Sequence, residues 1–471
     1  MTSSSVRDNS QQPTRRSSRR AFHGAVIHSL SATNLEILPN ALIITESDPD
    51  LENNIHKITH FIKDTTTTPP NLNLDDVETI HLPRTSKFLI PGFIDTHNHA
   101  PQWSMRGLGQ GLHILDWLSQ ITFPHESKFA DPSYARRVYG SCIDGFLKQG
   151  VTTASYYGSL HGDATKILAD LCLSKGQRAY VGKCNMSRNS PEFYSDASVE
   201  DSLRVTEDVI THIQEKDPQG KLVKHILTPR FAISCHDDLL AGLGEISARN
   251  PEMPLQTHFN EAEQEMKFTA ELFPQFQGSE ADLYEHFGLL RKDRTTILAH
   301  CCHMTDYEMS RIKELGCGVA HCPVSNMTVG GGFMAAPVRA FLRRGIKVGL
   351  GTDSGGGFSS SMLDAMRQAM IASHAREVMS KGADEGLKIE EVFYLATLGG
   401  AEVCGLQDRI GNFEVGKEFD AVVVDTKPAG DGGIMTEVEE DDGLRVVFEK
   451  FVMTGDDRNI ERVYVQGRQV K

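Results

Sequence analysis

The chain has 471 residues, of which 39% are hydrophobic and 24% charged, and its formal net charge is −15. This composition is typical of a globular protein with a sizeable core, and the acidic balance argues against nucleic acid as a partner, because phosphate binding requires a basic surface. No stretch approaches the roughly 18 apolar residues of a membrane span. The nine cysteines include no Cys-x-x-Cys pair and favour reduced thiols, so we expect a cytoplasmic protein without a membrane partner.

The first part of the chain divides into a tail and a β-rich segment. Residues 1–20 are polar and rich in Ser and Arg, without the apolar segment of a secretory signal. We predict a disordered tail here, with a transit peptide as the alternative. Residues 21–87 alternate like β-strands, as in AVIHSL and NALIIT. This segment predicts the N-terminal part of a small β-domain.

From about residue 88 to residue 385, apolar or β-branched runs alternate with helical patterns. The runs are FIDTHNH, VTTASYY, QRAYVGK, KHILTPRFA, LQTHF, TTILAHC, CGVAHCP and KVGLGTD. Eight strand-plus-helix units predict an α/β fold, a (β/α)8 TIM-like barrel with C-terminal helices over residues 88–405. A doubly wound sheet is the alternative, but no glycine-rich phosphate turn follows the first strand. The Gly triplets at 330–332 and 355–357 are typical of flexible turns.

The end of the chain again predicts β structure. Residues 406–471 run from FDAVVVD to RVYVQGRQV and contain the acidic loop EVEEDDG. Neither flank of the barrel is long enough to form a convincing domain alone. We therefore expect the two flanks to build one small β-sandwich domain together, with the barrel inserted between them.

Polar side chains collect at the C-terminal ends of the predicted barrel strands, where barrel enzymes place their chemistry. His97 and His99 end the first strand and, two residues apart, project from the same face. His258 ends the fifth strand, His300 the sixth and Asp353 the eighth. A single histidine at a strand end is more often an ordinary surface residue, but five such groups at one rim indicate a metal site.

The types of these residues indicate the metal and its chemistry. Nitrogen and oxygen ligands without thiolate favour zinc, with iron as the alternative, and a bound water then reaches a pKa of about 7. Glu261, three residues after His258, is a candidate proton carrier, unless it is only an acid favoured at a helix start. Asp353 can accept a proton from the water, and His300 can orient it. Lys224 begins its strand at the opposite rim, so we predict a single metal.

Several segments resemble the amidohydrolase superfamily and, within it, the guanine deaminase family. They are PGFIDTHNHAPQ, ITFPHESKF, TPRFAISC, LQTHFNEAEQE, ILAHCCHM, AHCPVSN, GLGTDSGGGFSSSML and GNFEVGKEFDAVVVD. The resemblance covers roughly residues 85 to 425, and HAPQ together with TPRF is its most particular part. The sequence departs from the family pattern at Phe259-Asn260, at Ser354 and in HCPVSNMTVGGG, and none of these departures touches a predicted metal ligand.

The resemblance implies roles for individual residues. It implies a zinc ion bound by His97, His99, His258 and Asp353, with Glu261, His300 and Asp353 catalytic. It implies a purine base held by Gln102, Arg230 and Phe231 together with His99, His258 and Glu261. Guanine presents O6 and N7 acceptors side by side, which suits an arginine fork, while phenylalanine and glutamine supply an apolar wall and mixed hydrogen bonding. The implied reaction is hydrolytic deamination of guanine to xanthine and ammonia by a homodimer.

Two other classes stay open at this point. Another aminohydrolase on the same scaffold would act on 8-oxoguanine, an adenosine-like molecule or a triazine, and a catalytically silent relative would serve as a scaffold. Such silent relatives usually lose metal ligands, and in this sequence all of the predicted metal ligands are present. Cysteine-rich zinc deaminases are excluded, because they need a Pro-Cys-x-x-Cys segment. Cys301, Cys302 and Cys322 are expected to pack as small apolar residues.

Overall fold

The structure is a computed structural model. It describes residues 19–47, 55–65, 72, 74, 77–83, 86–292, 294–329, 334–427 and 438–471. Residues 1–18 of the predicted tail and the Gly triplet at 330–332 lie outside the described residues. Within the described part, no helix has the length and apolar character needed to cross a membrane.

The strands of the described residues are numbered in chain order. They are β1 (Arg19–Ser31), β2 (Asn34–Ser47), β3 (His56–Ile62), β4 (Glu78–His81), β5 (Lys87–Pro91), β6 (Phe93–His99), β7 (Val151–Tyr157), β8 (Arg178–Gly182), β9 (Cys184–Asn185), β10 (Val223–His225), β11 (Thr228–Pro229), β12 (Leu255–Phe259), β13 (Thr296–His300), β14 (Gly318–His321), β15 (Lys347–Leu350), β16 (Ala421–Asp425), β17 (Ile460–Val465) and β18 (Arg468–Gln469).

The α-helices are numbered in the same way. They are α1 (Ile114–Trp117), α2 (Phe123–Glu126), α3 (Pro132–Lys148), α4 (Gly162–Lys175), α5 (Val199–Lys216), α6 (Asp237–Arg249), α7 (Glu263–Leu272), α8 (Glu280–His286), α9 (Asp306–Leu315), α10 (Pro323–Thr328), α11 (Val338–Arg344), α12 (Met362–Met379), α13 (Ile389–Ala396), α14 (Leu398–Val403) and α15 (Leu444–Thr454). A 3-10 helix, Ala100–Met105, follows β6 directly.

Parallel strands carry the centre of the fold, as the alternating pattern predicts. One sheet has the order β10-β8-β7-β6 and a second the order β12-β13-β14-β15, while β9 pairs with β11. The two sheets touch at both edges, because Leu227 bridges Leu255 in parallel and Thr96 Oγ1 donates to the carbonyl of Leu350 at 2.8 Å. The residues of β6, β7, β12 and β13 are all buried, which is typical of parallel strands covered on both faces.

The fourth run, predicted as a single strand, is divided between two strands in the structure. KHILTPRFA contains the end of β10 and then the separate, short β11. Pro229 has no N–H to donate to a neighbouring strand, and the carbonyl of Ile226 accepts from Thr228 Oγ1 at 3.0 Å. The backbone therefore leaves the regular strand just before Arg230 and Phe231.

Strands from both ends of the chain lie in one mixed sheet. Its order is β18-β17-β16-β5-β1-β2-β3, and β4 pairs with β1. β16, near the C-terminus, pairs antiparallel with β5, and β1 pairs antiparallel with β2. Phe22, Val26 and Phe419 are buried together at this sheet, so apolar side chains from both ends share one cluster.

The C-terminal flank also contains a helix that the sequence analysis did not predict. α15 lies between β16 and β17, in a segment interpreted as strands and an acidic loop. Its buried residues are Val447, Phe448, Phe451 and Val452, which recur at the spacing of one helical face. The β-branched and aromatic residues of LRVVFEKFV favour a strand locally, and packing of this face overrides that preference.

Candidate metal centre and substrate pocket

The predicted ligands meet at the carboxyl ends of the parallel strands. His97 and His99 lie at the end of β6, His258 near the end of β12, and His300 at the end of β13. Asp353 follows β15 by three residues, and all five side chains are buried. The five residues predicted from four separate strand ends are thus brought to one place.

Their donor atoms are close enough to share one cation. The Nε2 atoms of His99 and His258 lie 3.1 Å apart. Asp353 Oδ1 lies 3.3 Å from His97 Nε2 and 3.6 Å from His99 Nε2. Three groups of potential ligand atoms each fall within 4.8 Å: His97-His258-His300, His97-His99-Asp353 and Glu261-His300-Asp353.

The protonation of these groups fits a divalent cation. Burial lowers the pKa of His99 and of His258 well below its usual value, so both rings are neutral. His258 Nδ1 donates to the carbonyl of Arg230 at 2.6 Å, which leaves the lone pair on Nε2, facing His99. Burial alone would raise the pKa of Asp353, but contact with His97 and the fields of the other histidines hold it well below its usual range. Neutral imidazoles around one carboxylate are a typical ligand set for a divalent metal.

The backbone that presents these groups is fixed by local bonds and by unusual torsion angles. Asp95 accepts hydrogen bonds from the N–H and the hydroxyl of Thr352 at 2.9 and 2.7 Å, and the N–H of Asp353 donates to the carbonyl of His97 at 2.9 Å. The φ angles of His300 and Asp353 are +73° and +43°. Positive φ in residues other than glycine is costly and clusters at functional sites, where surrounding bonds maintain it.

Glu261 lies beside the predicted metal ligands, where its surroundings favour the protonated form. Burial raises its pKa well above the usual value, and the negative charge of Asp353 adds to this effect. Its Oε2 lies 3.6 Å from His300 Nε2. His300 Nδ1 donates to Asn326 Oδ1 at 2.8 Å, so the lone pair of His300 is on Nε2, toward the site. The sequence analysis did not select Asn326, whose place in AHCPVSN carries no local sign of this contact.

One cavity joins the metal ligands to the predicted substrate-binding residues. It is lined by His99, Gln102, Ile114, Leu115, Trp117, Leu118, Arg230, Phe231, His258, Glu261, Glu265, Val329, Asp353 and Gly356. The Phe231 ring is 5.8 Å from the ring of His258, centroid to centroid. Gly356, from the second predicted glycine turn, forms part of the wall. A cavity with apolar walls and a few polar groups suits a small planar molecule.

The structure adds one acid that sequence reasoning missed. Glu126, at the end of α2, is completely buried and accepts hydrogen bonds from both terminal nitrogens of Arg230. The sequence could have indicated Glu126 as an acid among the apolar residues of ITFPHESKF, because a carboxylate that is buried there requires a partner. Cys301, Cys302 and Cys322 are buried and unpaired, as predicted.

Parallel strands with histidine and aspartate ligands at their carboxyl ends, beside a protonated glutamate, define a metal-dependent hydrolase. The model of the Amidohydrolase family matches residues 88–470. The guanine deaminase of Dictyostelium discoideum is 38% identical, over 96% of this chain and 98% of that protein. The guanine deaminase of Homo sapiens is 39% identical, over 82% and 83%. A crystal structure of guanine deaminase from C. acetobutylicum, with bound guanine in the active site, superposes with a TM-score of 0.84 at 32% identity, over 96% and 99%. The chain therefore belongs to the amidohydrolase family, and these three relatives are guanine deaminases.

Proposed function

We propose that the protein catalyses the hydrolytic deamination of guanine to xanthine and ammonia. The observation that carries this proposal is one pocket that contains Arg230 and Gln102 together with the metal ligand His258 and the acid Glu261. The relatives named guanine deaminase and the C. acetobutylicum structure with bound guanine support the same substrate. A purine base is a small planar molecule, which suits a pocket with apolar walls and a few polar groups.

The proposed cofactor is one zinc ion per subunit, with iron as the alternative. Its ligands would be His97, His99, His258 and Asp353. The absence of thiolate from this donor set and the neutral state of the buried histidines support that assignment. When bound, the ion supplies Lewis-acid chemistry that lowers the pKa of a coordinated water to about 7.

The residues around the ion move the protons. Glu261, held protonated by its raised pKa, donates to the ring nitrogen next to C2 of guanine. Asp353, which is ionised, accepts a proton from the attacking water. Neutral His300 orients that water by accepting a hydrogen bond at Nε2. The C2–O bond forms, and the bond between C2 and the exocyclic amino nitrogen breaks. Asp353 passes the proton that it took from the water to the departing ammonia, and the second proton of the water returns to Glu261.

The remaining residues hold the base. Arg230 donates to the adjacent O6 and N7 acceptors of guanine, a pairing that arginine also makes with guanine in DNA. Phe231 forms an apolar wall against the ring, and Gln102 bonds another polar edge. His99, His258 and Glu261 border the reacting end of the base, because they line the same pocket.

Architecture and context follow the same proposal. We propose that the parallel strands close into a (β/α)8 barrel over residues 88–405, and that residues 21–87 and 406–471 form the small β-sandwich domain. The nine cysteines, all free and buried, support a reducing compartment such as the cytoplasm. The resemblance to the guanine deaminases is what supports a homodimer.

The experiment that tests the proposed reaction follows both products. Metal-loaded protein is incubated with guanine in heavy-oxygen water, and the base is analysed by mass spectrometry while ammonia is assayed. We expect xanthine with one heavy oxygen and one ammonia for each xanthine, and no product from metal-free protein. Unchanged guanine with metal bound at one ion per chain would contradict the proposal.

A further inference from the structure

Glu126 connects the two side chains that are proposed to bind the base. Its Oε2 accepts from Arg230 Nη1 at 2.8 Å, and its Oε1 from Arg230 Nη2 at 3.2 Å. Oε1 also accepts from Gln102 Nε2 at 2.8 Å, and Oε2 from the Tyr194 hydroxyl at 2.5 Å. A single buried carboxylate thus holds an arginine, a glutamine and a tyrosine that come from distant parts of the chain.

These four bonds use the hydrogen-bonding capacity of the carboxylate. An ionised carboxylate accepts about four hydrogen bonds and donates none. Burial raises the pKa of Tyr194 well above its usual value, so its hydroxyl remains a donor. Glu126 does not line the substrate pocket, whereas Arg230 and Gln102 do. Glu126 therefore acts on a ligand through these two neighbours.

The bond to Glu126 decides which end of the Gln102 amide is presented. Because the carboxylate only accepts, the NH2 group of Gln102 must face it, and this removes the usual ambiguity between amide oxygen and nitrogen. Gln102 Oε1 is then buried without a hydrogen-bond partner among the described residues. The bare backbone of Gly355 lies against it, since a Cβ atom at that position would be 2.1 Å from Oε1.

Arg230 presents the opposite hydrogen-bonding character. Its guanidinium has five N–H donors, and the two bonds to Glu126 leave others for a ligand. The pocket thus offers an acceptor at Gln102 and donors at Arg230. A lactam, in which a ring N–H stands beside a carbonyl, matches this pattern, whereas an amino group beside an unprotonated ring nitrogen reverses it.

We propose that Glu126 is a positioning residue that fixes the hydrogen-bond polarity of the pocket, through Gln102 and Arg230, and so selects purines with a lactam at position 6 against purines with an amino group at position 6. This inference rests on the proposed function, because it concerns the same pocket. Tyr194 takes part by occupying the last acceptor position of Glu126, which keeps the carboxylate from turning toward other donors.

The test measures binding of two bases that lack the 2-amino group, so it does not depend on turnover. Hypoxanthine has the lactam pattern and adenine the reversed one. Dissociation constants for both are measured by calorimetry on metal-loaded wild-type protein and on Glu126→Gln. An amide at position 126 can donate as well as accept, so the side-chain amide of Gln102 is free to exchange the positions of its oxygen and nitrogen. The exposed Glu192→Gln, close to Tyr194 in the chain, is the matched control.

We expect the wild type and Glu192→Gln to bind hypoxanthine about tenfold or more tightly than adenine, because the mismatched base leaves buried polar groups unpaired. In Glu126→Gln the preference should fall by about tenfold with the metal content unchanged. A folded Glu126→Gln with the wild-type preference, or a wild type without any preference, overturns the inference.

A second variant covers the case in which Glu126→Gln does not fold. Gly355→Ala would place a Cβ atom 2.1 Å from Gln102 Oε1, so it displaces the Gln102 amide without removing the carboxylate of Glu126. It should lose the preference for hypoxanthine, and an unchanged preference also overturns the inference. Guanine turnover by the wild type tests the proposed function separately, so the two results can differ.

Discussion

The Nε2 atoms of His99 and His258 lie 3.1 Å apart in the buried centre, and His258 carries no proton on Nε2 that it could donate to His99. His258 donates through Nδ1 to a backbone carbonyl, and burial keeps the ring neutral. This arrangement suits a metal ion bound by both nitrogens better than a hydrogen bond between the two rings, since a histidine that binds a metal commonly donates its other ring N–H to a carbonyl.

The first prediction concerns removal of the metal. Chelation should abolish ammonia release from guanine and lower the melting temperature, because the metal binds only the folded site. Readdition of zinc should restore both. His258→Ala should retain well under one metal ion per chain by elemental analysis, whereas the nearby, half-buried His303→Ala should retain the wild-type content. Equal metal content in the two variants would contradict the ligand assignment.

The second prediction concerns the proposed acid. Glu261→Gln has nearly the same shape but no acidic proton to transfer, so kcat for guanine should fall by roughly 10²- to 10⁴-fold. Metal content should stay at the wild-type level, because Glu261 is not among the proposed ligands. The matched control is Glu263→Gln, which changes an exposed acid two residues away. Wild-type turnover in Glu261→Gln with metal bound would show that the proton comes from another group.

The convergence of the candidate metal ligands could be predicted from the sequence because strand ends are local features. His97 and His99 lie within one strand, and the other ligands follow strands that are recognisable by their apolar runs. Parallel strands then bring their carboxyl ends to one rim without any further information. The position of each ligand therefore followed from its place in a strand rather than from a specific contact.

The contacts that shape the pocket could not be predicted in the same way. Glu126 and Arg230 are 104 positions apart, and their pairing depends on the exit of the chain after Pro229 and on the packing of α2. α15 was missed because its β-branched residues favour a strand until the whole fold provides a surface for one helical face. Long-range packing decided both features.

The third prediction concerns the contact between the parallel strands and the terminal sheet. Arg178, at the start of β8, lies 2.7 Å from Glu418 Oε2 and 3.1 Å from Asp420 Oδ1, just before β16. Arg178→Met leaves the buried Asp420 without its cation and Glu418 with Arg409 alone, so the free energy of unfolding should fall by about 3–5 kcal/mol. Arg204→Met, whose side chain is 63% exposed, should change it by less than about 1 kcal/mol. Chemical denaturation distinguishes the two, and equal losses would contradict the role of the buried contact.

The fourth prediction concerns stability at low pH. His225 in β10 is buried, neither ring nitrogen has a hydrogen-bond partner among the described residues, and burial lowers its pKa to about 3. The unfolded chain binds this proton below a pH of about 6.5 and the native state does not. This histidine therefore makes the free energy of unfolding decrease as the pH falls from about 6.5 to about 3, by up to about 1.4 kcal/mol per pH unit.

His225→Leu tests this prediction, because leucine is uncharged at every pH. The stability of the variant relative to the wild type should increase steadily as the pH falls through the window in which both proteins still fold. His374→Leu changes a histidine whose side chain is 56% exposed and is the control. Parallel stability curves for wild type and His225→Leu would rule out the buried neutral histidine as a source of acid sensitivity.

A comparison of substrates tests whether the candidate metal centre deaminates guanine. Ammonia release by the metal-loaded protein is measured as kcat/KM for guanine, 8-oxoguanine, adenosine and a triazine under identical conditions. The proposed function predicts efficient turnover of guanine and values at least about a hundredfold lower for the other three, because each lacks part of the guanine hydrogen-bonding pattern or shape. Efficient turnover of another compound with guanine inert would contradict the claim, and so would no turnover of any compound with the metal bound.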